Sequence, residues 1–287
     1  MNLENKIESK WRVLPLSRDN ASWHMAVDHA IFENLAEKAI QGVSISPTLR
    51  LYQFKDPAII LGYQQKINGI DMKMLQNISG EYTTRITGGG HVFFTPSEIH
   101  FSMITPSAMF SADIPNSYKQ NNIPVAEALG GIGINAVAGR TSVKVDNKTL
   151  VVSAQARTRY VTLHHGTILA NIDLSRFERI LGATPEEKSF LKEITWLSSL
   201  DIDYERKLKE LYEGIISNVT NGDYRLGKLD KFELALAKRL YKELYTNKDY
   251  LNSGKKEAGV CIIAGLMKEY DKYIRDNTHL ISSENAI

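Results

Sequence analysis

The sequence predicts an α/β (α+β) fold in which a mixed β-sheet is flanked by helices. Residues 23–38 carry apolar side chains at four-residue spacing, the pattern of an amphipathic helix laid on a core. Short β-type runs with alternating or continuous apolar residues follow, as far as residue 172. From Ser175 onward the period returns to about 3.6 residues, with charged outer faces. Strands set between helical segments favour a sheet with helices packed around it.

Length and charge bound the class of protein. The 287-residue chain is 43% hydrophobic, which is enough for one large core. Its 35 Lys and Arg residues nearly balance 33 Asp and Glu residues, and a formal charge of +2 argues against nucleic-acid or membrane partners. Cys261 is the only cysteine, which excludes an internal disulfide and fits a reducing cytoplasm. No apolar run has the length of a membrane span, and the N-terminus lacks a signal-peptide core.

The first predicted helix follows a turn-prone segment, with Asn20 or Ser22 as its N-cap. Two strands are predicted next, one over residues 48–54, where apolar and polar residues alternate, and one over 58–61, which is continuously apolar. Gly62 ends the second strand.

The middle of the chain is expected to form a hairpin and then a helix. β-type residues over 91–104 flank a turn at 95–97, which predicts two paired strands. A helix that begins near residue 117 is expected to stop at the glycine pair 130–131.

A second hairpin is indicated by the dipeptide Asp146-Asn147, because both residue types tolerate the positive φ of a two-residue turn. A third arm of the same sheet is predicted over residues 161–172.

Three consecutive glycines, Gly88 to Gly90, interrupt the strand-like stretch RITGGGHVFF. A bulge or a tight entry into a strand would explain them. Arg85 adds a second interpretation, because a guanidinium beside bare backbone is suited to hold a carboxylate or a phosphate. The spacing of a Walker or Rossmann loop is absent.

Two adjacent histidines, His164 and His165, lie between strand-like runs, and adjacent residues on a strand face opposite sides. At most one of them can therefore enter a given site, and a hydrogen-bonded structural histidine is the alternative. A metal site would need His91 and His100 to converge in space, so no metal site is predicted. Cys261 has no neighbouring base, and a small buried hydrophobe explains it best.

Four segments, in order, resemble the lipoate-protein ligase A family, part of the biotinyl/lipoyl ligase and octanoyltransferase superfamily. They lie within about residues 10–250 and read WHMAVDHAIFE, LRLYQFKDPAIILGYQQ, TRITGGGHVFFTPSEIHFSMI and GRTSVKVDNKTLVVSAQARTRYVTLHHGTILANIDLSRF. The resemblance implies a biotinyl/lipoyl ligase catalytic domain over residues 1–250, similar in fold to the class II aminoacyl-tRNA synthetase core. Residues 251–287 are expected to form a short C-terminal extension, similar to part of an accessory domain.

The resemblance also implies an activity. Such enzymes activate lipoate or octanoate with ATP and Mg²⁺ as an acyl-adenylate, then transfer the acyl group to a lysine of a lipoyl carrier domain. The expected carrier is of the glycine cleavage H protein type or the 2-oxoacid dehydrogenase E2 type. A separate accessory-domain chain is left open as a further partner.

The matched motifs imply which residues bind the substrate and the nucleotide. Arg85 is expected to hold the acyl phosphate, and the glycines are expected to admit the acyl chain. The complete set of expected binding positions is Arg85, Thr87, Gly88, Gly89, Gly90, His91, Val92, Ser153, Ala154, Gln155, His165 and Gly166.

One departure from the family pattern concerns catalysis. Without gaps, Thr149 occupies the position of the family's catalytic lysine, which stabilises developing negative charge. Lys148 can replace that lysine only if a bulge after Asp146-Asn147 restores the register, and a solvated turn lysine is the alternative. Lys144, on the opposing arm of the hairpin, is expected to lie on the same face as Lys148.

These departures leave two functions open. The first is a lipoate or octanoate ligase or transferase, and the second is a catalytically impaired paralogue that binds the acyl ligand or the carrier without turnover. Cys261 lies outside the matched motifs, which disfavours direct transfer through a cysteine thioester. A biotin ligase would share the fold, but its Gly-Arg-Gly-Arg signature is absent before Gly88.

Overall fold

The structure is a computed structural model that describes residues 8–63, 65–67, 70–181 and 185–253. Its strands are β1 (Trp11–Val13), β2 (Ser17–Asp19), β3 (Thr48–Phe54), β4 (Ala58–Leu61), β5 (Glu81–Thr84), β6 (Val92–Phe94), β7 (Ile99–Pro106), β8 (Val137–Ala138), β9 (Ser142–Val145), β10 (Lys148–Arg157), β11 (Val161–Ile168) and β12 (Tyr224–Leu226). Its helices are α1 (Ala21–Ile40), α2 (Met72–Asn77), α3 (Ile114–Gly131), α4 (Leu174–Leu181), α5 (Pro185–Lys192), α6 (Leu208–Thr220), α7 (Lys231–Leu240) and α8 (Lys248–Ser253).

The strands form two sheets. The larger sheet has the order β12-β1-β3-β7-β11-β10-β9-β8, with β2 also paired to β3, and the smaller sheet has the order β5-β4-β6. Pairing is parallel between β12, β1 and β3 and antiparallel from β3 through to β8. The predicted mixed sheet flanked by helices is confirmed, although the sequence did not indicate that the strands divide between two sheets.

Each face of the larger sheet covers its own core. On one face, here called the α1 face, Tyr52, Ile104 and Leu163 pack with α1 and α7. On the opposite face, here called the α3 face, Phe101 and Val151 pack with α3 and α6. Side chains alternate between the two faces along each strand, so the parity of a strand residue decides which core it enters.

Helix α1 lies in the interior, and its sequence explains why it starts where it does. The Asn20 side chain accepts a hydrogen bond from the Trp23 backbone N–H at 2.8 Å, which satisfies one of the free donors of the first turn. Both the predicted helix and its N-cap are confirmed.

A buried ion pair ties the first strand to α7. Arg12 donates to both carboxylate oxygens of Glu233, at 2.7 and 2.8 Å, and Asn34 of α1 donates to the same carboxylate at 3.0 Å. Glu233 is fully buried and Arg12 is 9% exposed, so the two charges depend on each other.

The two turns predicted around the middle of the chain have different outcomes. Asp146 and Asn147 have φ values of 49° and 63°, which confirms the two-residue hairpin between β9 and β10. The hairpin predicted over residues 91–104 is wrong. β6 pairs with β4 in the smaller sheet, whereas β7 pairs with β3 and β11 in the larger one.

Glu98 explains how the chain passes between the sheets. Its Oε2 accepts hydrogen bonds from the Thr95 backbone N–H at 2.6 Å and from the Thr95 hydroxyl at 2.8 Å. The carboxyl group closes the turn by which the chain passes from the smaller sheet to the larger one.

The end of the chain lies mostly outside the described residues. Residues 254–287, including Cys261, belong to that part, so the predicted extension over 251–287 stays a prediction. In the described part, no helix combines the length and the apolarity needed to cross a membrane.

Candidate functional site

The triple-glycine loop connects β5 to β6 and is shaped by Arg85. The guanidinium donates to the carbonyl oxygens of Ile60 at 3.1 Å, Gly88 at 2.8 Å and Gly90 at 2.7 Å. Burial lowers the pKa of Arg85 to about 10, which leaves it charged at neutral pH. Three of its five N–H donors are therefore committed to backbone carbonyl groups, and these contacts shape the loop.

The glycines of this region answer two different requirements. A side chain on Gly62 would overlap the Gly89 carbonyl. The glycine loop therefore touches the backbone directly after β4. Gly89 has a φ of +96°, which other residues rarely adopt. Gly88 has no atom within 4 Å of the place where a Cβ would stand, and this leaves open space beside the loop.

Thr87, the residue before the glycines, contacts the sheet through His165. The Thr87 Oγ1 lies 2.7 Å from His165 Nε2, and His165 Nδ1 lies 3.7 Å from Asp28 Oδ2. Thr87 comes from the loop, His165 from β11 and Asp28 from α1, so three separate parts of the chain meet here. All three residues are buried.

Asp28 is held as a carboxylate by its neighbours. Arg50 forms an ion pair with it, the Ser102 hydroxyl donates to Oδ2 at 2.6 Å, and the Tyr52 hydroxyl donates at 3.2 Å. Burial opposes ionisation, but the charge of Arg50, the neighbouring His165 and the hydrogen bond from Ser102 outweigh it and lower the pKa of Asp28 to about 2. The carboxylate is therefore ionised throughout the physiological range.

The residues expected from β10 and β11 divide between the two faces of the sheet. Ala154 pairs with His165, and both lie on the α1 face with Thr87. Gln155 pairs with His164, and its Nε2 lies 2.9 Å from His164 Nδ1 on the α3 face. The expectation that only one of the two histidines enters a given site is confirmed.

Three expected positions do not join this site, because strand alternation turns their side chains to the α3 face. Gln155 contacts His164 and Ser117 there. Ser153 donates to the Thr141 carbonyl at 3.1 Å. The Cβ position of Gly166 is filled by the Phe101 ring, so this glycine serves core packing.

The strand register around Thr149 overturns an expectation about two lysines. Thr149 pairs with Lys144, whereas Lys148 pairs with Val145, whose side chain lies in the α3-face core. The expectation that Lys144 and Lys148 share a face is wrong, because directly paired residues of an antiparallel pair lie on the same face. Lys144 therefore shares the face of Thr149, and Lys148 shares the face of Val145.

A bulge in β10 places Thr149 on the α1 face. The register shifts between Thr149 and Val151, and Leu150 and Val151 both pack into the α3-face core. Val152 then packs against the α1-face core. The bulge lies after Lys148 and leaves that residue on the face of Val145.

Several half-buried apolar side chains pack against the α1-face core without being covered by it. They include Ile86, Val92, Val152, Ile172, Leu174, Phe177 and Trp196. Apolar surface of this kind can contact an apolar ligand.

His91, at the end of the loop, contacts Gln65 through a Nδ1 to Nε2 distance of 3.4 Å. No group of three or more His, Cys, Asp or Glu residues suited to a metal ion occurs in the part of the chain that the structure describes.

Asp28 was missed as a candidate, although it lies inside the matched segment WHMAVDHAIFE. The available signal was an acidic residue in the middle of an otherwise apolar helix face. Such a carboxylate must be paired if it is buried.

Comparison with known proteins bears on the same region. The family model of the lipoyl protein ligase A/B catalytic domain matches residues 20–208. The octanoyltransferase LipM of Clostridioides difficile strain 630 is 28% identical over 279 residues, covering 84% of this chain and 98% of that protein.

Two solved structures share the fold. One is the bipartite lipoate protein ligase from Thermoplasma acidophilum, studied with its E2 lipoyl domain; its TM-score is 0.73 at 22% identity, covering 86% of this chain and 97% of that one. The other is a lipoate-protein ligase A bound with ATP, with a TM-score of 0.72 at 22% identity, covering 86% of this chain and 100% of that one.

Proposed function

The chain belongs to the lipoyl protein ligase A/B catalytic domain family, a family of acyl-transferring enzymes, and from this premise we propose that it transfers an activated lipoyl or octanoyl group to a lysine of a lipoyl carrier domain. The observation that carries the proposal is the convergence of separate family segments on one face of the larger sheet. Asp28, Thr87, Ala154 and His165 come from three of the matched segments and meet on the α1 face beside the triple-glycine loop.

The loop supplies room and hydrogen-bond donors for such a group. Gly88 leaves open space, and no residue of the described chain accepts a hydrogen bond from the backbone N–H groups of Gly88, Gly89 or Gly90. Consecutive unpaired N–H groups attract an anion. They are suited to the phosphate of an acyl-adenylate or to the oxyanion that develops at an acyl carbonyl.

Apolar surface on the α1 face suits an acyl chain. Val92, Val152, Phe177 and Trp196 are half-buried and pack against the α1-face core. Burying a chain of methylene groups against such side chains is favourable by about 0.8 kcal/mol for each CH₂.

Lys144 lies on the neighbouring strand, opposite the family's lysine position. It pairs directly with Thr149, and its side chain is exposed on the face shared with Val152. An ammonium there can approach the acyl carbonyl or its leaving phosphate from the neighbouring strand. We assign this role to Lys144 rather than to Lys148.

We propose an acyl-adenylate formed from ATP, Mg²⁺ and lipoate or octanoate as the donor. The similarity of the fold to a lipoate-protein ligase A bound with ATP supports this route. A preformed octanoyl thioester is the second candidate, and it is favoured by the relative named as an octanoyltransferase, which this chain matches over 98% of its length.

The proposed acceptor is a lipoyl domain, either of the 2-oxoacid dehydrogenase E2 type or of the glycine cleavage H protein type. The T. acidophilum ligase was studied with its E2 lipoyl domain and is described as bipartite. These findings support a lipoyl-domain partner, and they support testing a separate accessory chain.

A non-catalytic paralogue is the competing interpretation, motivated by Thr149. It finds no support in the comparisons, since a relative that matches 84% of this chain is named for its transferase activity. It predicts binding of the acyl ligand or the carrier without turnover.

The test uses purified protein and an apo lipoyl domain, with the mass of the domain as the readout. One arm supplies ATP, Mg²⁺ and lipoate or octanoate, and the other supplies an octanoyl thioester without ATP. An acyl mass in the first arm alone supports the adenylate route, and an acyl mass in the second supports the thioester route. An unchanged carrier in both arms, with and without an accessory chain, contradicts the proposed function.

A further inference from the structure

We propose that Thr87 is an acyl-accepting nucleophile, activated by His165, and that the acyl group passes through a Thr87 ester on its way to the carrier lysine. The inference deepens the proposed function and rests on it. It identifies a covalent intermediate within the α1-face site.

His165 lies between an acid and a hydroxyl group. Asp28 lies on the Nδ1 side of the ring at 3.7 Å, and Thr87 lies on the Nε2 side at 2.7 Å. A carboxylate can only accept a hydrogen bond, so the proton of the neutral imidazole is assigned to Nδ1. Nε2 is then the acceptor, and the Thr87 hydroxyl donates to it.

Asp28 is held in place by its neighbours. Arg50, Tyr52 and Ser102 surround the Asp28 carboxylate and fix its position. A carboxylate held in this way orients the imidazole and stabilises the imidazolium that forms when the ring takes up a proton.

A second Thr–His pair in the same sheet allows a comparison. Thr167 and His100 also form a buried pair, with Thr167 Oγ1 2.9 Å from His100 Nδ1. The far nitrogen of His100 has no hydrogen-bond partner among the described residues, whereas the far nitrogen of His165 faces a carboxylate. Of the two pairs, only Thr87 and His165 therefore form a row of nucleophile, base and acid, with Asp28 as the acid.

An acyl donor must be able to reach the Thr87 hydroxyl. Thr87 is buried, but it is followed directly by Gly88, beside which space is open. The N–H groups of the three glycines follow the hydroxyl along the chain. These N–H groups have no acceptor among the described residues, and we assign them to the oxyanion that forms when the hydroxyl attacks an acyl carbonyl.

The chemistry balances in two half-reactions. In the first, Thr87 Oγ1 forms a bond to the acyl carbon, His165 Nε2 takes the hydroxyl proton, and the bond to the leaving group breaks. The leaving group is a thiol or AMP, and it departs with that proton. In the second, the carrier lysine forms an amide, the ester bond breaks, and a proton from the amine returns through His165 to Thr87 Oγ1.

The experiment looks for the ester directly. Wild-type protein is incubated without carrier, once with ATP, Mg²⁺ and octanoate and once with an octanoyl thioester, and the peptide containing Thr87 is analysed by mass spectrometry. We expect an octanoyl adduct on Thr87 that hydroxylamine removes and that an apo lipoyl domain discharges.

Variants test the roles separately. Thr87→Ser keeps the hydroxyl and should retain the adduct and the transfer, whereas Thr87→Val should lose both, with kcat falling about a thousandfold or more. His165→Gln should lower kcat by about a hundredfold to ten-thousandfold. Thr167→Val removes the matched Thr–His contact and should leave transfer unchanged.

The outcomes separate this inference from the proposed function. Transfer by the wild-type protein without an adduct, together with Thr87→Val changing KM but not kcat, overturns the nucleophile and leaves the proposed function standing. The absence of both adduct and transfer overturns both. If Thr87→Val does not fold, the wild-type adduct and Thr87→Ser still decide the question.

Discussion

Gly62 and Gly89 lie so close together that the Gly89 carbonyl occupies the place where a Gly62 side chain would stand. The triple-glycine sequence is thus explained in part by the protein's own backbone. Gly89 is pressed against the end of β4, while Gly88 faces open space.

The two positions predict different effects of adding one methyl group. Gly62→Ala must displace the loop, and we expect a loss of about 1–3 kcal/mol in the free energy of unfolding together with loss of transfer. Gly88→Ala should unfold like the wild type but raise KM for the acyl donor about tenfold or more. Denaturant unfolding and steady-state kinetics of both variants check this, and equal stability of the two would contradict the packing described here.

A second prediction concerns the cation next to Thr149. Lys144→Met should lower kcat by about a hundredfold, because it removes a charge from the face of the site. Lys148→Met is the matched control, since Lys148 is also exposed but pairs with Val145 on the other face. A loss of activity in Lys148→Met alone would show that the register assigns the wrong lysine.

The buried ion pair between Arg12 and Glu233 predicts a large stability effect. Arg12→Met leaves the Glu233 carboxylate buried without its partner, which should cost about 3–5 kcal/mol. The control is Arg206→Met, because Arg206 is 86% exposed beside Asp203 and should change stability by less than about 0.5 kcal/mol. Denaturant unfolding of both variants measures the difference, and similar values would contradict the role of the buried pair.

Glu98 predicts a pH-dependent contribution to stability. Burial raises the pKa of Glu98 from 4.5 to about 7. Folding therefore favours the protonated form, so this contribution is fully present below about pH 4.5 and is lost as the pH rises through about 7. The stability of the wild type should fall by about 2–3 kcal/mol relative to Glu98→Gln between about pH 5 and about pH 8. Parallel pH curves for the two proteins would contradict the raised pKa.

The helices and hairpin turns that rest on local chemistry could be predicted from the sequence. Asn20 caps α1, and Asp146 and Asn147 adopt the positive φ expected of a tight hairpin. The hairpin over 91–104 could not be judged in this way, because strand pairing is decided by distant partners. The β6 strand pairs with β4 and the β7 strand with β3 and β11, partners that no local pattern specifies.

The site was predictable in its motifs and not in its geometry. The alternation of side chains along a strand correctly placed His164 and His165 on opposite faces. It could not show the bulge before Val151, which moves Thr149 to the α1 face. The role of Arg85 as an anion ligand stays a prediction from the sequence, and its hydrogen bonds to the carbonyls of the glycine loop are seen only in the structure. The partnership of Asp28 with His165 joins residues 137 positions apart, which no local pattern reveals.

Acyl transfer is tested by the mass of an apo lipoyl domain after incubation with this protein and an activated acyl donor. The control is the same domain with its acceptor lysine replaced by methionine. We expect one lipoyl or octanoyl group on the native domain and none on the substituted one. An unmodified native domain, in a mixture that a known ligase modifies, would contradict the proposed function.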